Sequence, residues 1–182
     1  MASVFERIEP NLKEWIERQH VFFVATAPRT DDGFINCSPK GLDSLRVLDD
    51  KTVAYLDLTG SGVETIAHLK ENGRIVVMLC AFEGLPRIVR LHGRGEVVQP
   101  GHRDFAGLAA LFPTQSGVRS VIRVALTRIG DSCGYAVPLM DFVAERDVLT
   151  KWAEKKTPAG VVEYQREKNA LNLDGLTGVD WL

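Results

Sequence analysis

The sequence predicts a mainly β (α+β) protein, a small antiparallel barrel with helices at its periphery. Three observations carry that prediction. Two long stretches, Arg87–Val98 and Ser120–Ile129, alternate apolar and polar residues with the period of a half-buried strand. A third, Arg74–Phe82, is nearly all apolar, as expected of a strand covered on both faces. Finally, about six strand-like stretches follow one another with few helices between them, which argues against a parallel α/β sheet.

Taken in order, Phe5, Ile8, Leu12, Trp15 and Ile16 recur at helical spacing, so an N-terminal helix is expected over about residues 3–19. Ser3 and Glu6 have the spacing of a capping box, and Pro10 suits the first residue of a second helix after a break. His20–Ala27 is a strand by composition. Asp31-Asp-Gly33 is a turn signal before Phe34–Cys37, so a hairpin is expected. Thr52–Leu58 is a further strand, and Thr59-Gly-Ser-Gly62 breaks it before a helix over 62–72. Gly93 and Gly95 interrupt the strand 86–98, which predicts a bulge or a close backbone approach. His102–Phe112 suits a short helix ended by Pro113. Gly130–Pro138 is rich in turn residues. A C-terminal helical tail is expected over about 141–182, with Val148, Leu149 and Trp152 on one face. One domain accounts for residues 1–182.

The bulk numbers exclude several function classes. The 182 residues carry 22 basic and 24 acidic side chains, a net charge of −2, so nothing favours nucleic acid or an anionic membrane as partner. No apolar run reaches the roughly 18–20 residues of a membrane helix. The N-terminus lacks a basic segment followed by an apolar one, so no signal peptide is expected. Cys37, Cys80 and Cys133 are widely spaced and form neither a metal motif nor a disulfide framework; reduced thiols in a cytoplasmic protein are the expectation. No metal site is expected.

Two segments carry the functional signal: Gly33-Phe-Ile-Asn-Cys-Ser-Pro-Lys-Gly41 and Arg87-Ile-Val-Arg-Leu-His-Gly-Arg-Gly-Glu-Val-Val98. In this order and at this separation they resemble the flavin-binding split barrel of the pyridoxamine 5′-phosphate oxidase superfamily, over roughly residues 20–135. The resemblance implies an FMN-binding split β-barrel that forms a homodimer. It implies that Asn36, Cys37 and Ser38 run along the flavin edge and that Lys40, in the turn after that strand, pairs with the phosphate. It matches Thr59, Ser61 and Thr65 to a second phosphate loop, with Ser61 as helix N-cap. Arg90 and His92, on the long strand, correspond to residues that join the flavin site across the dimer. The chemistry is consistent with that assignment, since a phosphate needs a fixed cation and several N–H donors.

The sequence also departs from the oxidase. Val63, Glu64 and Thr65 stand where the oxidase loop carries basic residues, and the place of a flavin-contacting glutamine falls near Ile88. The oxidase's basic, tryptophan-containing C-terminus is replaced by a mixed-charge tail, so its substrate is not carried over. What the resemblance implies is an FMN-dependent oxidoreductase acting on a small molecule. The alternatives are a non-catalytic flavin- or haem-binding storage or sensor module, and a deazaflavin-dependent reductase. FMN is favoured over FAD or a nicotinamide because no Gly-x-Gly-x-x-Gly turn is present to hold a pyrophosphate. Cys133, in Ser132-Cys-Gly-Tyr-Ala-Val-Pro138, has no histidine near it in the chain, so packing rather than nucleophilic chemistry is expected of it.

Overall fold

In the computed structural model, which describes residues 3–182, the strands are β1 (Ser3–Phe5), β2 (Phe22–Thr26), β3 (Asn36–Lys40), β4 (Leu45–Asp49), β5 (Thr52–Leu58), β6 (Arg74–Cys80), β7 (Ile88–Val98) and β8 (Val118–Ser132). The helices are α1 (Pro10–Glu17), α2 (Glu64–Asn72), α3 (Phe105–Ala109) and α4 (Val148–Lys168). The strands form one antiparallel sheet in the order β3-β2-β6-β7-β8-β5-β4, and β1 adds to β8. The sheet is not closed by hydrogen bonds, since β3 and β4 are its two edges. Only residues 41–44 separate those edges in sequence, so they must approach at one end. The result is a curled sheet with one seam, a split barrel.

Alternation along the strands builds the interior. Ile75, Val77 and Leu79 of β6 and Val89 and Leu91 of β7 point inward, and join Val24, Val53, Tyr55, Ile122 and Val124 in the main core. A smaller cluster of Ala54, Leu56, Val98, Phe112 and Val121 lies on the other side of β5 and β8. Val76 and Met78, on the outer face of β6, are only half-buried, so within one chain this strand is covered fully on one face alone.

The two glycines of β7 behave as their placement demands. The β7–β8 register slips between His92 and Gly93, and a Cβ on Gly93 would strike the carbonyl oxygen of Ala125. At Gly95 a Cβ would stand 2.7 Å from a methyl of Leu69, so its absence lets α2 pack on the sheet. Pro39 lies within β3, which is tolerated because β3 is an edge strand.

Several elements depart from the sequence reading. The segment 3–9 is not helical: Ser3–Phe5 pairs with Ile129–Asp131 as β1, and the helix begins at Pro10, the expected N1 proline. The pairing partner lies more than 120 positions away, which is why local periodicity missed it. The strand expected at Phe34–Cys37 starts two residues later and runs through Lys40, so Lys40 is a strand residue rather than a turn residue. β4 was not anticipated. The helix after β5 starts at Glu64 with Val63 as N-cap, and no Ser61 side-chain cap forms. The C-terminal tail is helical only over 148–168, with a break at Thr157, which precedes Pro158 and has φ 66° and ψ 160°.

Candidate functional site

A groove of about 1620 Å³ opens beside the seam. Its walls come from the end of β3, the loop after β5, the loop after β6, the segment after β8, and α4. Lys40, Thr59, Ser61, Arg87, Cys133 and Trp152 are among the lining residues. The volume exceeds the roughly 300–1,000 Å³ that one small ligand usually fills, so a cofactor and a substrate both have room.

Behind the Lys40 wall lies a buried ionic cluster. Asp57 is 1% exposed and Arg119 is 4% exposed. The guanidinium donates to both Asp57 oxygens, at 2.8 and 3.2 Å, and Ser120 Oγ donates to the same carboxylate at 3.2 Å. Lys40 Nζ stands 4.0 Å from Asp57 Oδ1. Burial alone would raise the Asp57 carboxyl. The charge and hydrogen bonds of Arg119 outweigh it, with help from Lys40 and Ser120, and hold it below the usual carboxylate range. Two cations thus share one anion, and the surplus positive charge belongs to Lys40, the member that reaches the groove.

The loop 59–62 lies on the same wall. Thr59 is buried and its hydroxyl is engaged twice: it donates to Gly117 O at 2.8 Å and accepts from Gln165 Nε2 at 2.6 Å. Thr59 therefore anchors the loop and has no hydroxyl proton free for a ligand. Ser61 is exposed. A Cβ placed on Gly60 would meet nothing within 4 Å, so the groove side of the loop is open. The Glu64 side chain folds back over Gly62, where it faces the start of its own helix. A cation, a free hydroxyl and an open stretch of backbone are the donors that a phosphate monoester requires, and in that respect the wall fits one.

The other expected residues lie elsewhere. Asn36 turns toward α2, donating from Nδ2 to Thr26 Oγ1 at 3.2 Å and to Thr65 Oγ1 at 3.0 Å, while Ser38 Oγ donates to its Oδ1 at 2.8 Å. Thr65 therefore serves this network and not the groove. Cys37 is exposed on the edge strand. Arg90 and His92 alternate with the buried Val89 and Leu91, so they lie on the outer face of the sheet. Arg90 Nη1 donates to Ser132 Oγ at 2.9 Å. Partial burial, followed by the charges of Arg128 and Arg90, lowers the His92 pKa below its usual value. Of the nine expected residues, a single chain brings Lys40, Thr59 and Ser61 together at the groove.

Sequence reasoning missed the residues behind that wall. An aspartate inside the apolar run Val-Ala-Tyr-Leu-Asp-Leu was a legible sign of a buried partner. That the partner is Arg119, 62 positions away, was not. His68 was also missed. It is fully buried, with Nδ1 2.9 Å from Thr26 Oγ1 and Nε2 3.4 Å from Asp174 Oδ2.

Residues 8–133 match the family model described as pyridoxamine 5′-phosphate oxidase. The chain belongs to the pyridoxamine 5′-phosphate oxidase family. Among curated proteins it is similar to ustO of Aspergillus flavus, named as a pyridoxamine 5′-phosphate oxidase family protein. The two are 40% identical over 196 residues, covering 98% of this chain and 78% of the relative. Among solved structures, a variant of HupZ from Group A Streptococcus shares 26% identity with a TM-score of 0.53, over 69% of this chain and 99% of that one. A Lactobacillus delbrueckii protein named for pyridoxamine 5′-phosphate oxidase is 18% identical with a TM-score of 0.53, over 69% of this chain and 94% of that one. The second likeness is one of fold. Among the described residues, no helix is long and apolar enough to cross a membrane, and no three His, Cys, Asp or Glu side chains gather as a metal cluster.

Proposed function

We propose that this chain is an FMN-dependent oxidoreductase acting on a small molecule, and that it works as a homodimer. The observation that carries the reading is Lys40, which faces the groove as the surplus cation of the Asp57–Arg119 cluster, beside the loop residues Thr59, Gly60 and Ser61 that line it. When bound, the flavin supplies the hydride or electron transfer; the protein supplies binding and orientation. Lys40 holds the phosphate, with Ser61 and the loop backbone as further donors. The unpaired edge of β3, around Asn36, Cys37 and Ser38, offers backbone groups to the flavin ring. The Asn36–Thr26–Thr65 bonds keep that edge rigid.

The outer face of the sheet supports the dimer. Val76 and Met78 are half-buried there beside Arg90 and His92, and the register places Val76 opposite His92 and Met78 opposite Arg90. A second copy covering this face would remove apolar surface from water and bring Arg90 and His92 to an intermolecular site. No groove residue pairs a nucleophile with a base, so protein-based covalent catalysis is not part of the proposal.

The test is the absorbance spectrum of the purified protein, followed by titration of apoprotein with FMN and FAD. Flavin bands and preferential FMN binding are expected. A Soret band, or a preference for FAD, would overturn the reading. Lys40→Ala should weaken FMN binding by about 1.5–3 kcal/mol, the scale of a charge-assisted hydrogen bond. Equal affinity in the variant, read by flavin fluorescence quenching, would remove Lys40 from the site.

A further inference from the structure

We infer that Gln165 and Asn169, on the C-terminal helix, are positioning residues that shape the loop 59–62 into a phosphate-binding turn. This rests on the flavin-phosphate reading above and extends it to a part of the chain beyond the matched residues 8–133.

Asn169 is fully buried, and its amide is used at both ends. Nδ2 donates to Gly60 O at 3.0 Å, and Oδ1 accepts from Arg119 Nη1 at 2.8 Å. The same Arg119 nitrogen donates to Gly62 O at 2.9 Å. Gln165, 4% exposed, donates to Thr59 Oγ1 at 2.6 Å. Three loop features, Thr59 Oγ1, Gly60 O and Gly62 O, are therefore tied to interior donors.

The tethers have a directional consequence. In a trans peptide the C=O and N–H groups point in opposite directions, and no peptide here is cis. Drawing Gly60 O inward to Asn169 turns the Ser61 N–H away from the interior, and drawing Gly62 O to Arg119 does the same for Val63 N–H. Without the tethers, a Gly-Ser-Gly turn has many backbone states to lose on binding an anion. With them, that ordering is already complete, which is the source of the gain in affinity.

The helix itself is held by the chain that follows it. Val179 N donates to Asn169 O at 2.7 Å, and Gly178 packs so tightly that a Cβ would stand 2.7 Å from a methyl of Val63. Through Arg119 the tethers also reach Asp57 and thus the Lys40 cluster. One buried polar chain connects the C-terminal segment with both halves of the proposed phosphate site.

The experiment compares FMN with riboflavin, the same ring system without the phosphate, in the wild type, Asn169→Ala and Gln165→Met. The methionine keeps the volume of the glutamine and removes only its amide, so a folded variant is available if Asn169→Ala fails to fold. The wild type should prefer FMN. Each variant should lose FMN affinity by about tenfold, a single hydrogen bond's worth, while riboflavin affinity stays within about twofold. In the ligand-free protein, NMR order parameters of the Ser61 and Val63 amides should fall from about 0.85 toward 0.6. An equal loss for both ligands, or unchanged FMN affinity with unchanged order parameters, would overturn the inference. A wild type that binds FMN no better than riboflavin would instead defeat the phosphate reading. The order parameters would still decide whether the helix holds the loop.

Discussion

Replacing Arg119 by methionine probes the energetics of the whole site. The substitution removes the two hydrogen bonds to Asp57 and one each to Gly62 O and Asn169 Oδ1. Asp57 would remain 1% exposed, with Ser120 and Lys40, the latter at 4.0 Å, as its remaining partners. Stripping one partner from a buried ion pair costs about 3–5 kcal/mol, because the other charge is left uncompensated. At about 2–4 °C per kcal/mol for a chain of this size, the melting temperature should fall by roughly 6–20 °C.

The sign of the pH dependence follows from Asp57. In the wild type its pKa is depressed, so it contributes stability above its unfolded value of about 3.9, and that contribution is lost as pH falls through the folded value. In Arg119→Met burial dominates and raises the pKa. The buried acid then favours folding at low pH and opposes it as pH rises. The stability gap between the two proteins should therefore narrow between pH 7 and about pH 4.5, as the variant's carboxyl takes up its proton. Urea unfolding at both pH values measures it. A gap under about 1 kcal/mol at pH 7 would refute the account of the cluster, as would one that does not change with pH. Adding Asp57→Asn to the variant should restore part of the loss by removing the orphaned charge.

The remaining expectations are simpler to read out. Gly93→Ala should destabilise the fold by about 1–3 kcal/mol, because its Cβ meets the Ala125 carbonyl and stands 2.7 Å from a Val124 methyl; an unchanged urea midpoint would contradict that. Cys133→Ser should leave turnover nearly intact, since the exposed thiol lines the groove without a paired base; a large loss with normal flavin content would make it a catalytic group. Light scattering should give twice the chain mass, and a monomer at every concentration would remove the role proposed for the outer face of β6 and β7.

Much of this was legible locally. The alternation of β7 and β8 and the apolar run of β6 are short-range patterns, and they specify strands because side chains alternate faces with a period of two. The glycines at 93 and 95 were legible for the same reason, since a missing side chain in such a run needs a neighbour that fills the space. Lys40 and the Thr-Gly-Ser-Gly turn were both picked out in the sequence, and the fold brings Lys40, Thr59 and Ser61 to one groove. What the sequence by itself could not decide were pairings across long separations. Ser3–Phe5 has helical spacing and becomes a strand because β8 offers it an open edge; tertiary hydrogen bonds override weak local propensity. Thr65 and Thr59 carry the hydroxyls expected of ligands, yet the fold assigns both to internal partners, Asn36 and Gln165. Arg119 lies at the start of β8, just before the stretch whose alternation was legible, and only the fold places its guanidinium against Asp57, Gly62 and Asn169. Burial explains the difference: which polar groups leave water together depends on how distant segments stack, and each must then find its partner inside.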